Sequence, residues 1–367
     1  IFSLPSPLPL LYKQRRVERE TNKRKPSERN RAAASSGRGR RRRRRERVAN
    51  YQSSIEVTSM ANRLLFAAII ASAAVAVVAL EGSTISFDEG FSQLFGDGNL
   101  IRYPDGRSVR LKLNRYSGSG FIPRITTNTA SSAPRSSSPP SHAGVVVGLY
   151  LSNGDVFEKT HDELDFEFLG NLRGKEWRVQ TNVYGNGSTS RGREERYLLP
   201  FDPTEEAHRY SILWTANYII FYIDDIPIRE VVRTEAMGDD YPSKPMSVYA
   251  TIWDGSAWAT EGGKHKINYK YSPFTAEFSD LILRGCRVGD IQQPPSAEDC
   301  AESEVEILTA DYAAMDPKKR AAMRRFREHY MTYTICYDTV RYSSTFPECD
   351  NSPSEKERFW DWGSPST

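Results

Sequence analysis

The sequence predicts a mainly β protein, an antiparallel sandwich or barrel followed by a small α/β extension. About ten short segments between residues 83 and 283 alternate apolar with polar residues, and turn-forming residues separate them at short spacing. Aromatic residues are abundant, with 19 Tyr and 16 Phe in 367 residues, as suits sheets with a packed face. From residue 284 onward the pattern changes, and all four cysteines occur there.

Residues 1–59 do not look like a domain. They carry 17 Lys+Arg and 5 Asp+Glu, a net charge of +12, which leaves −9 for the rest of a chain whose formal charge is +3. The arginine run at 40–45 would fit a nuclear signal, a nucleic-acid tail or a disordered solvated tail. We favour a non-native segment, translated upstream of the true start. Because the remainder is acidic, we expect no nucleic-acid partner.

Met60 opens a typical secretory signal over residues 60–82. Arg63 gives the positive start, residues 64–80 are almost all apolar or small, and cleavage near Ala79 satisfies the small-residue rule. No basic stop-transfer cluster follows this apolar run. We therefore expect a secreted protein with no membrane span after cleavage, whose mature domain covers 83–283.

Strands are predicted along this domain wherever period-two alternation or a buried apolar run lies between turn residues. The predicted segments are 87–91, 94–98, 109–113, 143–150, 163–170, 177–184, 210–214, 219–223, 226–232, 246–253 and 274–283. Asp224 and Asp225 form the expected turn between two of them. In the extension, Asp316 followed by Pro317 predicts the start of a helix over 318–330.

One predicted strand carries three carboxylates on a single face. Glu163, Asp165 and Glu167 point one way, and the apolar residues between them point the other. Adjacent carboxylates repel, so at neutral pH at least one should hold a proton. Retaining glycoside hydrolysis needs such an asymmetric pair, a nucleophile and a protonated acid. A solvated acidic face on an antiparallel sheet is the alternative interpretation.

The segment 163–170, Glu-Leu-Asp-Phe-Glu-Phe-Leu-Gly, resembles the active-site strand of plant xyloglucan endotransglucosylase/hydrolases. These are retaining glucanases built on a concanavalin-like antiparallel β-sandwich (jelly roll). The resemblance runs from about residue 87 to residue 358, except 123–142. It rests on the Cys-bearing end and on segments 87–91, 161–170, 180–182, 190–194, 249–253 and 258–260. It implies a jelly-roll catalytic domain with a disulfide-stapled extension over 284–350 and a tail over 351–367.

The resemblance also implies a reaction. Glu163 would be the nucleophile, Glu167 the acid/base, and Asp165 a helper that hydrogen-bonds between them. Transfer to another xyloglucan chain or to water would follow, with no cofactor and no metal ion. Donor and acceptor xyloglucan chains would be the partners of a protein, expected to be a monomer, in the cell wall or apoplast.

Further positions match sugar-binding residues of the family on both sides of the cleft. They are Gln180, Asn182, Arg193, Glu194, Trp258, Gly262 and Arg341. Each also has an interpretation without sugar binding. The amides would belong to a polar sheet face, Trp258 would lie in the core, and Arg341 would be an exposed surface arginine. Gly262 matches a glycine that allows close approach.

Two covalent features are predicted as well. Asn186-Gly-Ser188 is an N-glycosylation sequon in a Gly-rich turn. The four cysteines allow three pairings, which the sequence alone does not separate. The resemblance implies Cys286–Cys300 and Cys336–Cys349.

Residues 123–142 break the strand pattern with a Ser/Thr/Pro-rich stretch typical of a low-complexity loop. Read from the third base of each codon, residues 127–140 can encode Gln-His-Gly-Phe-Phe-Ser-Ala-Ser-Ile-Lys-Leu-Pro, which resembles the strand that the family has here. We therefore predict a shifted reading frame. We also expect 123–142 to be irregular and poorly packed, beside an unpaired edge or gap.

Two other functions fit parts of the sequence. A mixed-linkage β-glucanase of the same clan would share the three carboxylates but is expected to lack the cysteine-rich extension. An inactive, lectin-like binder of wall polysaccharide would result if residues 123–142 disrupted the cleft.

Overall fold

The structure, a computed structural model, describes residues 86–123, 129–136, 141–286 and 296–366. The predictions for residues 1–82 lie outside this range. The strands in it are β1 Phe91–Phe95, β2 Leu100–Arg102, β3 Ser108–Leu113, β4 Ser119–Pro123, β5 Thr129–Ser136, β6 Val145–Ser152, β7 Glu163–Leu169, β8 Arg178–Tyr184, β9 Glu195–Leu198, β10 Tyr210–Trp214, β11 Tyr218–Ile223, β12 Ile226–Val232, β13 Ser247–Asp254, β14 Phe274–Arg284 and β15 Met331–Thr334. The α-helices are α1 Phe87–Gly90, α2 Ala297–Thr309, α3 Pro317–Tyr330 and α4 Pro353–Lys356.

The strands form two antiparallel sheets, as the sequence predicts. One has eight strands in the order β1-β4-β13-β6-β7-β8-β9-β15, and the other has seven in the order β12-β11-β10-β5-β14-β3-β2. Their apolar faces meet in one core, where the Phe166 ring of β7 lies edge-on to Phe221 of β11 with centroids 5.2 Å apart. Burying such a ring contributes about 1.5–3 kcal/mol. Two segments differ from their predictions: residues 87–90 form a short helix, and in 94–98 only residues 94 and 95 belong to a strand, β1.

The turn between β11 and β12 shows how local chemistry fixes the strand register. Asp224 and Asp225 have φ values of 47° and 64°, the left-handed region that a two-residue hairpin turn requires. The Asp224 carboxylate also accepts a hydrogen bond from the Arg209 backbone N–H at 2.9 Å. The predicted turn is confirmed.

The expectation that residues 123–142 form a gap is wrong for the part that the structure describes. Strand β5 lies between β10 and β14 and pairs with both, and β4 extends to Pro123. At the other end of the segment, His142 is buried beside the Trp177 ring. Backbone groups pair whatever side chains they carry, and two strands with open edges favour a third between them. The reading-frame hypothesis is a separate matter and stays a prediction.

The extension continues the eight-stranded sheet. Strand β15 pairs with β9, and α3 packs against β12, β9 and β15. Both predicted disulfides are confirmed, Cys286–Cys300 and Cys336–Cys349. The Asp316 side chain caps α3 by accepting the Lys319 backbone N–H at 2.8 Å, as predicted. Helix α2 was not predicted. No helix in the described residues has the length and apolar character needed to cross a membrane.

Candidate active site

Strand β7 places its acidic residues on the outer face of the eight-stranded sheet. Leu164, Phe166 and Phe168 are 0–2% exposed in the core, so Glu163, Asp165 and Glu167 must face away from it. Antiparallel pairing continues each position into a row across the sheet. The three rows are Ser152–Glu163–Tyr184, Tyr150–Asp165–Asn182 and Gly148–Glu167–Gln180. We call this surface the acidic face.

Asp165, the central carboxyl group, is difficult to ionise. Burial raises the pKa of Asp165 well above its usual range, and the charges of Glu163 and Glu167 raise it further. A protonated Asp165 is a hydrogen-bond donor, and its partner is the carboxylate of Glu163.

The pKa of Glu163 is raised as well, but its neighbours favour the charged form. Burial raises its pKa, while the charge of His161 and hydrogen bonds from Ser152 and Asp165 oppose that rise. Two donors aimed at one carboxylate are what an ionised nucleophile requires.

Glu167 has the properties of a general acid. Burial, followed by the charge of Glu194, raises the pKa of Glu167 to about 7. The Gln180 side chain donates from Nε2 to Oε2 of Glu167 at 2.6 Å and partly offsets this rise. A carboxyl group with a pKa near 7 can give up and take back a proton at neutral pH. The rows therefore combine a carboxyl group that accepts two hydrogen bonds with one whose pKa is about 7.

The two predicted amides lie on the acidic face, in β8. Gln180 is 4% exposed and joins Glu167 to Arg196, whose Nε donates to Oε1 of Gln180 at 2.6 Å. Asn182 is 3% exposed and lies opposite Asp165. Both are brought to the carboxylates as the sequence suggests.

Glu194 and Arg341 come together although 147 positions separate them. Nη2 of Arg341 lies 2.8 Å from Oε1 of Glu194, and Nη2 of Arg196 donates to Oε2 of Glu194 at 2.9 Å. The negative charge of Glu194 acts on Glu167, so this ion pair belongs to the electrostatics of the acidic face.

Arg193 requires a correction. Its side chain is 1% exposed and enclosed by two carboxylates and the ring of Phe346. Nε of Arg193 lies 2.5 Å from Glu348, and Nη2 lies 3.2 Å from Asp240. A guanidinium closed off in this way cannot touch a polysaccharide in this conformation, so Arg193 instead joins the second disulfide loop to the sheet domain.

Trp258 lies at the Glu167 end of the acidic face. Its ring is 6.0 Å from that of Trp253, and both pack on a small apolar cluster that includes Leu169, two residues beyond Glu167. Gly262 has a positive φ of 67°, but no protein atom lies within 4 Å of an added Cβ. Gly263 is the glycine held against protein, since its Cβ would meet the Ala257 carbonyl at 2.2 Å.

Asn186 lies at the Glu163 end of the acidic face. It follows two residues after Tyr184, which pairs with Glu163. Its side chain is exposed in a turn with φ of 49°, and the Ser188 hydroxyl accepts the Gly185 N–H at 3.2 Å. Asn186 is therefore open to solvent, whereas Ser188 of the sequon is buried.

The sequence reasoning missed several members of the site. Arg196 could have been found, because it lies two residues after Glu194 and β9 begins between them, so that both side chains point to the same side. Ser152 and Tyr150 could not have been found, because the sequence of neither β6 nor β7 shows that these two strands pair with each other. Tyr333 reaches the face only through β15, where its ring lies 5.1 Å from the Arg196 guanidinium. Among the described residues, no three His, Cys, Asp or Glu side chains are placed so that they could hold one metal ion together.

Comparison with known proteins gives consistent matches. Residues 87–271 match the model of glycosyl hydrolases family 16, and residues 303–349 match the xyloglucan endo-transglycosylase (XET) C-terminus. The Arabidopsis thaliana protein named "Probable xyloglucan endotransglucosylase/hydrolase protein 30" is 58% identical over 77% of this chain and 82% of its own length. The corresponding protein 29 is 55% identical over 78% and 84%. A prokaryotic β-1,3-1,4-glucanase (lichenase) from a mouse hindgut metagenome matches in structure with 24% identity and a TM-score of 0.42, over 55% of this chain and 95% of that one.

Proposed function

The chain belongs to the xyloglucan endotransglucosylase/hydrolase family, and we propose that it cleaves the β-1,4-glucan backbone of xyloglucan. It then transfers the cleaved chain to another xyloglucan end, or to water, which gives hydrolysis. The observation that carries this proposal is the pairing on β7 of Glu163, which accepts two hydrogen bonds, with Glu167, whose pKa is raised to about 7. The sequence similarity supplies the substrate class.

In the first step, a carboxylate oxygen of Glu163 attacks the anomeric carbon at the cleavage point. The bond from that carbon to the glycosidic oxygen breaks, and Glu167 gives its proton to the leaving oxygen. Asp165 keeps its own proton and holds Glu163 by a hydrogen bond. The products are a glucosyl ester on Glu163, a shortened chain and an ionised Glu167.

In the second step, an acceptor hydroxyl takes the place of the leaving group. Glu167 accepts its proton, the acceptor oxygen bonds to the anomeric carbon, and the ester bond to Glu163 breaks. Two inversions at one carbon retain its configuration. Another xyloglucan chain as acceptor gives transfer, and water gives hydrolysis.

Purified full-length protein, xyloglucan polymer and a fluorescent xyloglucan oligosaccharide test the function. We expect fluorescence to move into the polymer fraction on size-exclusion chromatography, and reducing ends to appear without acceptor. Cleavage of mixed-linkage β-glucan alone would identify a β-glucanase instead. Xyloglucan binding without turnover would identify a lectin-like protein.

We also propose that the protein is secreted to the cell wall and carries a glycan on Asn186. The exposed sequon side chain and the two disulfides support this, since disulfides persist in oxidising compartments. Remodelling of wall xyloglucan would be its role there.

The pH dependence of donor cleavage should show the protonation of Glu167. Because Glu167 must hold its proton to act as the acid, kcat/KM for the donor should fall as pH rises through about 7. Steady-state rates from pH 4 to 9 check this. A kcat/KM that stays constant to pH 9 would contradict the assignment of Glu167.

Two substitutions at Asp165 should differ. If Asp165 acts as a neutral donor to Glu163, Asp165→Asn keeps a donor of similar size and should lose about tenfold in kcat, whereas Asp165→Ala should lose about a hundredfold or more. Circular dichroism checks that both variants fold. Equal losses would mean that the donated hydrogen bond is not what Asp165 contributes.

A further inference from the structure

Four side chains connect the C-terminal extension to Glu167. Arg341 lies 2.8 Å from Glu194, Glu194 accepts from Arg196 at 2.9 Å, and Arg196 donates to Gln180 at 2.6 Å. Gln180 then donates to Glu167 at 2.6 Å. We call Arg341, Glu194, Arg196 and Gln180 the relay. Glu194, Arg196 and Gln180 each bond their two neighbours in the relay through two different atoms of one side chain. A change at one of these contacts therefore alters the geometry of the other.

The extension holds Arg341 in place from two sides. The Asp338 carboxylate accepts the Arg341 backbone N–H at 2.8 Å and the Tyr333 hydroxyl at 2.8 Å, and Tyr333 belongs to β15 of the eight-stranded sheet. The Cys336–Cys349 disulfide closes the loop that contains Arg341. The side chain of Arg341 is 29% exposed, so its charge is partly shielded from water.

The charged groups of the relay oppose one another at Glu167. The charge of Glu194 raises the pKa of Glu167, whereas the Gln180 hydrogen bond and the charge of Arg196 lower it. Arg341 faces Glu194 and reduces the effect of that charge on Glu167. The other titratable groups around Glu167 lie on its own strand and on the flanking ones, and they are Glu163, Asp165, Tyr150 on β6 and Tyr184 on β8.

We propose that Arg341 is a positioning residue of the acid/base, which acts on Glu167 through the relay. The inference rests on the proposed role of Glu167 in the reaction. Without Arg341, the charge of Glu194 is compensated by Arg196 alone, and Arg196 is drawn from Gln180 toward Glu194. Both changes favour the protonated form of Glu167.

The direct test is the titration of the Glu167 carboxyl group in the free, full-length protein. Carbon-13 NMR of protein labelled at glutamate carboxyl groups follows it, and the signal is assigned by its loss in Glu167→Gln. We expect Arg341→Gln to move the midpoint up by about 0.5–1 pH unit, and Glu194→Gln to move it down by a similar amount. Arg341→Lys should keep most of the parent value, because it retains the charge.

The double variant tests the route. If Arg341 acts through Glu194, then Arg341→Gln should shift the midpoint by less than about 0.2 pH unit in a Glu194→Gln background. Arg358→Gln is the matched control, since Arg358 lies in the tail beyond the extension and pairs with half-buried Glu355 at 2.8 Å. It should leave the midpoint unchanged.

Kinetics separate this role from direct sugar binding. The alkaline limb of kcat/KM for the donor should follow the NMR midpoints, whereas an arginine that only binds acceptor would change the acceptor KM and leave the limb in place. An unshifted midpoint in Arg341→Gln, or equal shifts with and without Glu194, would overturn the relay. If the parent protein showed no activity on xyloglucan, the proposed function would be overturned instead. The NMR midpoints would still show whether Arg341 acts on Glu167 through the relay.

Discussion

We expect Glu163→Gln to lower the rate of donor cleavage by about 10⁴-fold or more and to abolish transfer and hydrolysis together. An amide cannot form the glucosyl ester that both reactions share. The variant should keep its fold, because Glu163 lies on the acidic face and not in the core. Single-turnover measurement of chain cleavage, with thermal unfolding as the check on folding, gives the result.

A matched control uses the same chemical change away from the site. Glu206→Gln alters a side chain that is 70% exposed and should leave turnover within about twofold of the parent. For Glu163→Ala, added azide can enter the space left and attack the anomeric carbon with a single inversion, so the glycosyl azide should have the opposite configuration to the normal product. Turnover of Glu163→Gln within tenfold of the parent would remove Glu163 from the role of nucleophile.

Local pattern was sufficient wherever one strand carries the information. The alternation in β7 predicts both which residues enter the core and which three carboxylates share a face. The Asp224-Asp225 turn and the Asp316 cap also follow from a few neighbouring residues. In each case the deciding interaction joins residues within one segment or one hairpin.

Prediction failed where the deciding interaction joins distant segments. Arg193 and Glu194 are neighbours in sequence, yet Arg193 is buried against Glu348 while Glu194 faces Glu167. Neighbouring residues of an extended segment point to opposite sides, and the groups that they meet there come from distant segments, Asp240 and Glu348 for Arg193 and Arg341 for Glu194. The prediction for the residues of β5 failed for a related reason. The place of β5 in the sheet depends on the open edges of β10 and β14 and not on its own composition.

Glu195 is the opposite kind of acidic residue from the three on β7, and it stabilises the fold. It lies on the core side of β9 with 4% of its side chain exposed, and both of its oxygens accept hydrogen bonds from Arg327 of α3, at 2.6 and 2.9 Å. Arg229 of β12 lies 3.4 Å away and is 5% exposed. Burial alone would raise the pKa of Glu195, but the charges of Arg327 and Arg229 outweigh it and hold the pKa at about 2.

We therefore expect Glu195→Gln to lower the free energy of unfolding by about 3–5 kcal/mol, because Arg229 would stay buried without its counter-charge. Denaturant unfolding measures this, and Glu355→Gln, which breaks an exposed pair with Arg358, should cost less than about 1 kcal/mol.

The stabilisation by Glu195 should depend on pH in one direction. A carboxylate whose folded pKa lies below its unfolded value of about 4.3 stabilises the fold above that pH and stops doing so as pH falls through about 2. The difference between parent and Glu195→Gln should be constant from pH 5 to 7 and shrink between about pH 4 and 2. A difference under about 1 kcal/mol at pH 7 would mean that Arg327 and Arg229 do not depend on this carboxylate.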